Sequence, residues 1–187
     1  MGDDIKLWIS KIREGDREAF EKLFLRFYDP LCKFAWRYLR SAHISEELVQ
    51  DVFLTVWESR ESLDPEKSIK SYLYKAVKNK ALNHLKHKNL AEDYNQQIDW
   101  LNSTSISQIH DFNNEDSKFV KAVQKEIDNL PEKARHVYKL SRKDGLTYQE
   151  IADILDISKR TVESQISRSL KILRERLAQY FDLHTAS

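Results

Sequence analysis

The stretch TYQEIADILDISKRTVESQISRSLKIL, residues 147–173, reads as two short helices joined by a tight turn. Thr147 followed three residues later by Glu150 forms a capping box, in which each side chain satisfies the other's free backbone N–H. Ile151, Ala152, Ile154 and Leu155 then make one apolar face, with Ala152 small enough for close packing. Asp156 and Ile157 break the period, and Ser158 is a second N-cap. Beyond it Val162, Ile166, Leu170, Leu173 and Leu177 recur as one helical stripe. The opposite face carries Lys159, Arg160, Thr161, Ser164, Gln165, Arg168 and Lys171. Hydroxyls, an amide and cations early on a second helix are the inventory of a major-groove reader. The competing account is an ordinary amphipathic helix with a solvated charged face. Capping box, turn and side-chain choice together point to a DNA-binding helix-turn-helix.

Working outward from that stretch, Phe119, Val123, Ile127 and Leu130 form an inward stripe from about Lys118. Pro131 opens a further helix with Ala134, Val137, Tyr138 and Leu140 inside, and Asp144-Gly145 is a turn signal. Over residues 89–117 the periodicity fades, and six acids stand there with no Lys or Arg. That is the composition of an acidic linker, with Trp100, Leu101 and Phe112 as candidate local anchors. Residues 67–88 are the reverse, with seven lysines and no acid. Such segregation assigns separate surfaces to separate partners, although the net charge is only +1.

The N-terminal part is also helical. Ile5, Trp8 and Ile12 face inward on a helix over 4–14, Gly15 stops it, and Asp16 caps the next. Phe20, Leu23, Phe24 and Phe27 follow; Asp29-Pro30 predicts a break, after which Leu31, Phe34, Ala35, Tyr38 and Leu39 continue the core. Ser45 is a candidate cap for SEELVQDVFLTVWES, with Leu48, Val49, Val52, Phe53 and Val56 inside. The outer acids of this helix either face solvent or meet a basic partner. A loop, RESLDPEK (60–67), leads into SIKSYLYKAVKNKALNHLKHK (68–88), where Ile69, Leu73, Ala76 and Val77 point to a core. Tyr72, Tyr74, Lys75, Lys78, Asn79, Asn83 and Lys86 mix aromatic, cationic and amide groups that can stack bases, pair with phosphates and bond base edges. Core packing is the alternative for each tyrosine, and solubility for the lysines. His84 and His87 lack a third metal ligand nearby.

The expected fold is all-α: two small helical domains (1–90 and 118–183) joined by an acidic linker (91–117), the second containing the helix-turn-helix. In 187 residues a 41% hydrophobic share suffices for packed cores, while three Gly and three Pro leave little for a turn-rich β fold. The single Cys32, beside Leu31, Phe34 and Ala35, allows no internal disulfide and reads as a buried helical residue rather than a nucleophile. There is no apolar run of about eighteen residues and no basic-then-apolar leader, so a cytoplasmic protein without membrane insertion is expected. Neither a glycine-rich phosphate loop nor a catalytic constellation is visible, and the expectation is a non-enzyme without cofactor or metal.

Three of these stretches, in order, resemble the extracytoplasmic-function (ECF) class of RNA polymerase sigma factors in the sigma-70 family. SEELVQDVFLTVWE resembles region 2.2, SIKSYLYKAVKNKALNHLKHK regions 2.3 and 2.4, and residues 130–177 region 4. The TVESQISRSLKILRE run is similar to Bacteroidetes-type members. The resemblance implies a transcription initiation factor with core RNA polymerase (clamp and flap), promoter DNA and an anti-sigma factor as partners. It puts Glu47, Gln50, Asp51, Leu54 and Trp57 where the family contacts core polymerase. It puts minus-ten recognition on Lys67, Tyr72, Tyr74, Lys75, Lys78, Asn79, Asn83 and Lys86, and the base-capturing specificity loop at 59–67. Minus-thirty-five recognition falls on Lys159, Arg160, Thr161, Ser164, Gln165, Arg168 and Lys171. Asp156 stands where the family usually has Gly; Asp tolerates left-handed backbone better than most residues. A LuxR-type regulator is the alternative, since its helix-turn-helix fits the same pattern, but those proteins usually carry an α/β domain. A helical adaptor binding an acidic protein is a third reading; it leaves the polar face of the second helix unexplained.

Overall fold

Helices alone make up the regular structure of residues 2–91 and 118–185, the part of the chain that the computed structural model describes. The chain divides into two units, residues 1–95 and 96–187. The expected linker lies outside the described residues, except that Ala91 still belongs to a helix.

The first unit holds α1 (Gly2–Arg13), α2 (Arg17–Leu39), α3 (Ala42–Glu58), a 3-10 turn at Arg60–Ser62 and α4 (Ile69–Ala91). Gly15 turns the chain after α1 with φ +90°, a conformation that needs no Cβ. Asp16 then caps α2 by accepting the Ala19 N–H at 3.0 Å. The core is built from Ile9 and Ile12 of α1, Leu23, Phe27, Leu31, Phe34 and Ala35 of α2, Val49, Val52, Phe53 and Val56 of α3, and Leu73, Tyr74, Val77 and Ala81 of α4. α2 is its axis, packing against all three of the other helices.

Two boundaries differ from the sequence expectation. α2 runs unbroken through Pro30. A mid-helix proline costs about 3 kcal/mol, and burying a large apolar side chain returns about 1.5–3 kcal/mol. Leu31 and Phe34, both wholly buried just beyond Pro30, offset the penalty and hold the helix in one piece. The cap of α3 is Ser41 rather than Ser45. Arg40 takes the left-handed conformation (φ 53°) and turns the chain at once, so that Ser41 Oγ accepts the Ile44 N–H at 3.4 Å. Ser45 lies one turn in, buried, donating to the Ser41 carbonyl at 2.6 Å.

The second unit holds α5 (Lys118–Asp128), α6 (Glu132–Arg142), α7 (Tyr148–Leu155) and α8 (Lys159–Thr185). Ala134, Val137, Leu140, Leu146, Ile151, Ile154, Val162 and Ile166 are buried between α6, α7 and α8. Ile127, Leu130 and Leu173 form a further cluster, covered by Val123, Tyr138, Ile172 and Leu177. The stripe on α8 departs from the expected one at a single position. Leu170 is 40% exposed, and Ser169 takes its place inside at 0%. Ser169 Oγ donates to Gln165 O (2.8 Å) and to Ala134 O (3.3 Å), so a small polar residue sits between α6 and α8. Arg176 ties the far part of α8 to α5 through Glu126 at 3.1 Å.

Candidate nucleic-acid interface and docking groove

The helix-turn-helix forms as the local chemistry dictates. Thr147 Oγ1 accepts the Glu150 N–H at 3.2 Å, while Glu150 Oε2 accepts the Thr147 N–H at 2.8 Å. Asp156 closes α7 in the left-handed conformation (φ 55°, ψ 44°), and the Ile157 N–H donates back to Ala152 O at 3.1 Å. Ser158 Oγ accepts the Thr161 N–H at 3.0 Å and starts α8. Buried Val162 and Ile166 fix the rotation of α8, leaving Lys159, Arg160, Thr161, Ser164, Arg168 and Lys171 exposed and Gln165 half-buried. All seven expected residues therefore remain available from one helix. They are not equivalent. Lys159 lies 4.0 Å from Glu163 and Lys171 3.9 Å from Glu175, whereas among the described residues neither Arg160 nor Arg168 has an acidic group in ion-pair range.

On α4, Tyr72, Lys75, Asn79, Asn83 and Lys86 are exposed, and their spacing places them along one stripe. Two expected members are not on it. Tyr74 is 1% exposed, its ring edge-on to Phe34 at 5.0 Å, and belongs to the core. Lys78 is 8% exposed and belongs to the buried side of α4, like Val77 and Ala81. Alternate positions on a helix cannot share a face, so Tyr72 outward requires Tyr74 turned well away from it. Lys67 is exposed in the loop, 3.6 Å from Asp64.

The remaining expected residues gather at α3. Glu47, Gln50, Asp51 and Leu54 are exposed, with Leu54 among the most exposed large apolar side chains of the described residues. Asp51 is 3.5 Å from Lys80 of α4, Glu47 3.5 Å from His43, and Gln50 Nε2 donates to the Tyr28 hydroxyl at 3.4 Å. Gln50, Leu54 and Trp57 line an open apolar groove together with Phe53 and with Arg17, Phe20 and Phe24 of α2. Its floor is aromatic: Phe20 lies 5.0 Å from Trp57, and Phe24 4.8 Å from Phe53. Phe20 and Phe24 of α2, expected in the core, instead line this groove. Flanking Leu23 and Phe27, they make an apolar arc wider than one core face covers, and that width is the signal.

Cys32 is half-buried, and its thiol is pushed up to about 11, chiefly by burial. The raised value keeps the thiol protonated at neutral pH. No cluster of three or more metal-ligating side chains forms among the described residues. None of the described helices is long and apolar enough to cross a membrane.

A helix-turn-helix with a cationic outer face, a separate basic and aromatic helix, and an apolar groove beside it define a DNA-binding protein with a further docking surface. Known proteins refine that class. The sigma-70 region 2 model matches residues 23–90 and the sigma-70 region 4 model residues 121–173, together well over half of the chain. The ECF RNA polymerase sigma-E factor of Haemophilus influenzae is 28% identical over 180 residues, covering 90% of this chain and 93% of that protein. The ECF RNA polymerase sigma factor SigW of Bacillus subtilis is also 28% identical, with 92% and 96% covered. Among solved structures, CnrH in complex with the cytosolic domain of CnrY has a TM-score of 0.57 at 19% identity, covering 94% of this chain and 98% of CnrH. The sigma factor RpoE of Bartonella quintana, in complex with the anti-sigma factor NepR, has a TM-score of 0.56 at 19% identity, with 85% and 96% covered. The chain belongs to the sigma-70 family, as a factor of its ECF class.

Proposed function

We propose that this chain is a transcription initiation factor that binds core RNA polymerase and carries it to promoters by gripping both the minus-ten and minus-thirty-five elements. The observation that carries the reading is the exposed Tyr72, Lys75, Asn79, Asn83 and Lys86 stripe on a unit separate from the helix-turn-helix. A LuxR-type regulator needs only the second of these surfaces. Arg160 and Arg168 read duplex DNA upstream, where a guanidinium can bond the O6 and N7 of one guanine. The α4 stripe holds melted DNA downstream, with Tyr72 stacking on a base and Lys75 and Lys86 on phosphates. Tyr74 and Lys78 support this helix from inside. The loop at 59–67 accepts a flipped base, and the groove between α2 and α3, with Glu47 and Asp51 at hand, takes the polymerase. Residues 91–117 act as the tether between units, and an anti-sigma factor competes for the polymerase surface. The protein works in the cytoplasm and catalyses no reaction of its own.

The test is run-off transcription from a promoter library with purified core enzyme. A sigma-dependent product with a defined start site is expected. No product together with no binding to core refutes the reading.

A further inference from the structure

The groove and the 59–67 loop share one side chain. Trp57 is half-buried, with Phe20 packed against its ring from the groove side at 5.0 Å. The guanidinium of Arg60 lies over the same ring, 4.9 Å from its centroid. Arg60 Nη1 also donates to the Trp57 carbonyl at 3.0 Å. Arg60 opens the 3-10 turn, and its own carbonyl accepts the Leu63 N–H at 3.1 Å. Within the loop, Ser62 N–H donates to Ser59 O (2.9 Å) and Glu66 N–H to Asp64 Oδ1 (3.0 Å). The start of the loop is thus a rigid turn mounted on the Trp57 ring.

A second fastening is present at the other end, where Lys6 of α1 reaches Glu66 at 2.7 Å. Both side chains are more than half exposed, so solvent screening leaves this pair little holding power. Arg60 differs. It is half-buried, and its Nε is buried with no hydrogen-bond partner among the described residues. A desolvated guanidinium gains more from an aromatic face than an exposed one does.

From this geometry we infer that Arg60 is a positioning residue: by stacking on Trp57 it sets the 59–67 loop in register with the docking groove, and so tunes which base the loop accepts. This inference rests on the function proposed above for the groove and the loop. Arg60 lies over the Trp57 ring and is not among the residues that line the groove. Its effect passes through the orientation of the turn, so it appears in the choice between bases rather than in total affinity for polymerase.

The test uses holoenzyme assembled from the full chain and core polymerase. The probes are a labelled single-stranded oligonucleotide selected by the parent holoenzyme from a randomised pool, and the same oligonucleotide substituted at its most strongly selected base. The ratio of the two affinities is the readout. Arg60→Ala lowers this ratio by about threefold or more, the lower range for losing a partly desolvated cation–aromatic contact, while core affinity holds within about twofold. Arg60→Lys keeps a cation near the ring but loses the planar guanidinium stacked on it and its Nη1 hydrogen bond to the Trp57 carbonyl, and falls in between. Trp57→Phe, which narrows the platform, shifts the ratio in the same direction and covers the case in which Arg60→Ala does not fold. An unchanged ratio in folded Arg60→Ala overturns the inference, as does an equal loss in Arg60→Lys. A parent holoenzyme that selects no sequence from the pool instead refutes the underlying function.

Discussion

Arg160 and Arg168 stand out on the recognition face because the other cations there already have company. Lys159 and Lys171 each sit one turn from a glutamate, which draws off part of their attraction for DNA. A well-placed arginine on a guanine is worth about 1–3 kcal/mol, or about 5- to 150-fold in affinity. Arg168→Ala is therefore expected to weaken binding to the duplex upstream element within that range and leave core binding intact, as read by anisotropy of labelled duplex. Lys171→Ala should cost less. Identical promoter affinity for Arg168→Ala and parent removes Arg168 from the interface. In the turn before this helix, Asp156 occupies a left-handed backbone (φ 55°) that Asp tolerates and β-branched residues do not. Asp156→Val should lower stability by more than about 1 kcal/mol, whereas Asp156→Gly stays within about 1 kcal/mol of the parent. Thermal unfolding of the two variants decides this, and a Val variant as stable as the Gly variant contradicts the strained-turn account.

At the scale of whole elements, what could be read from sequence was what depends on neighbours in the chain. The caps at Asp16, Thr147 and Ser158 and the turns at Gly15 and Gly145 follow from local hydrogen bonding and backbone freedom, and they stand where expected. Pro30, Tyr74 and Leu170 depart from expectation for the opposite reason: each is decided by what packs against the helix from elsewhere, through the burial of Leu31 and Phe34, the Phe34 ring against Tyr74, and Ser169 against α6. Ser45 loses the cap to Ser41 for a local reason, the left-handed turn at Arg40. The α6–α8 crossing makes the point testable. Ser169→Leu should overpack it and cost about 1–3 kcal/mol, while Leu170→Ser, two-fifths exposed, should change stability by less than about 0.5 kcal/mol. The reverse order in chemical denaturation restores the original stripe. The α5–α6 corner adds a pH dependence. Partial burial pushes the Asp128 carboxyl up, but hydrogen bonds from Gln124 (2.9 Å) and Lys139 (2.7 Å), with the charges of Lys139 and Lys143, more than offset this and leave it lowered. A lowered carboxylate stabilises the fold above its unfolded pKa, and that contribution is lost as pH falls through the folded value. Asp128→Asn should thus be less stable than the parent at pH 7, by about 1 kcal/mol. The gap should begin to narrow near pH 4, the ordinary range of an aspartate, and close only as pH falls through the lowered folded value. A gap that stays constant with pH assigns the loss to packing instead.

For the whole molecule, the division of labour between two units explains how a chain of net charge +1 can hold a promoter. Affinity through phosphates scales with the number of cations a surface brings to them, and the cations here are divided between two units. Tethering both surfaces to one polymerase makes the second contact intramolecular and multiplies modest affinities without new contacts. Such a scheme leaves the downstream unit with a specific task, because duplex DNA must be unstacked before α4 can hold it. Unstacking costs a few kcal/mol, and stacking a base on an aromatic ring returns about 1–3 kcal/mol. Tyr72, 45% exposed on the α4 stripe beside Lys75 and Asn79, is placed to supply that return. On a premelted template the unstacking cost has already been met, so under the proposed function the stacking contribution of Tyr72 matters less there. Tyr72→Ala and Asn79→Ala are therefore expected to reduce open-complex occupancy on duplex promoter about tenfold, the equivalent of about 1.4 kcal/mol, with much smaller losses on a template carrying a preformed bubble. Competitor-resistant complexes counted on both templates with the same holoenzyme separate the two steps. Equal losses on both would move Tyr72 and Asn79 from promoter opening to simple affinity, and leave the lysines of α4 as the whole of its interaction with DNA.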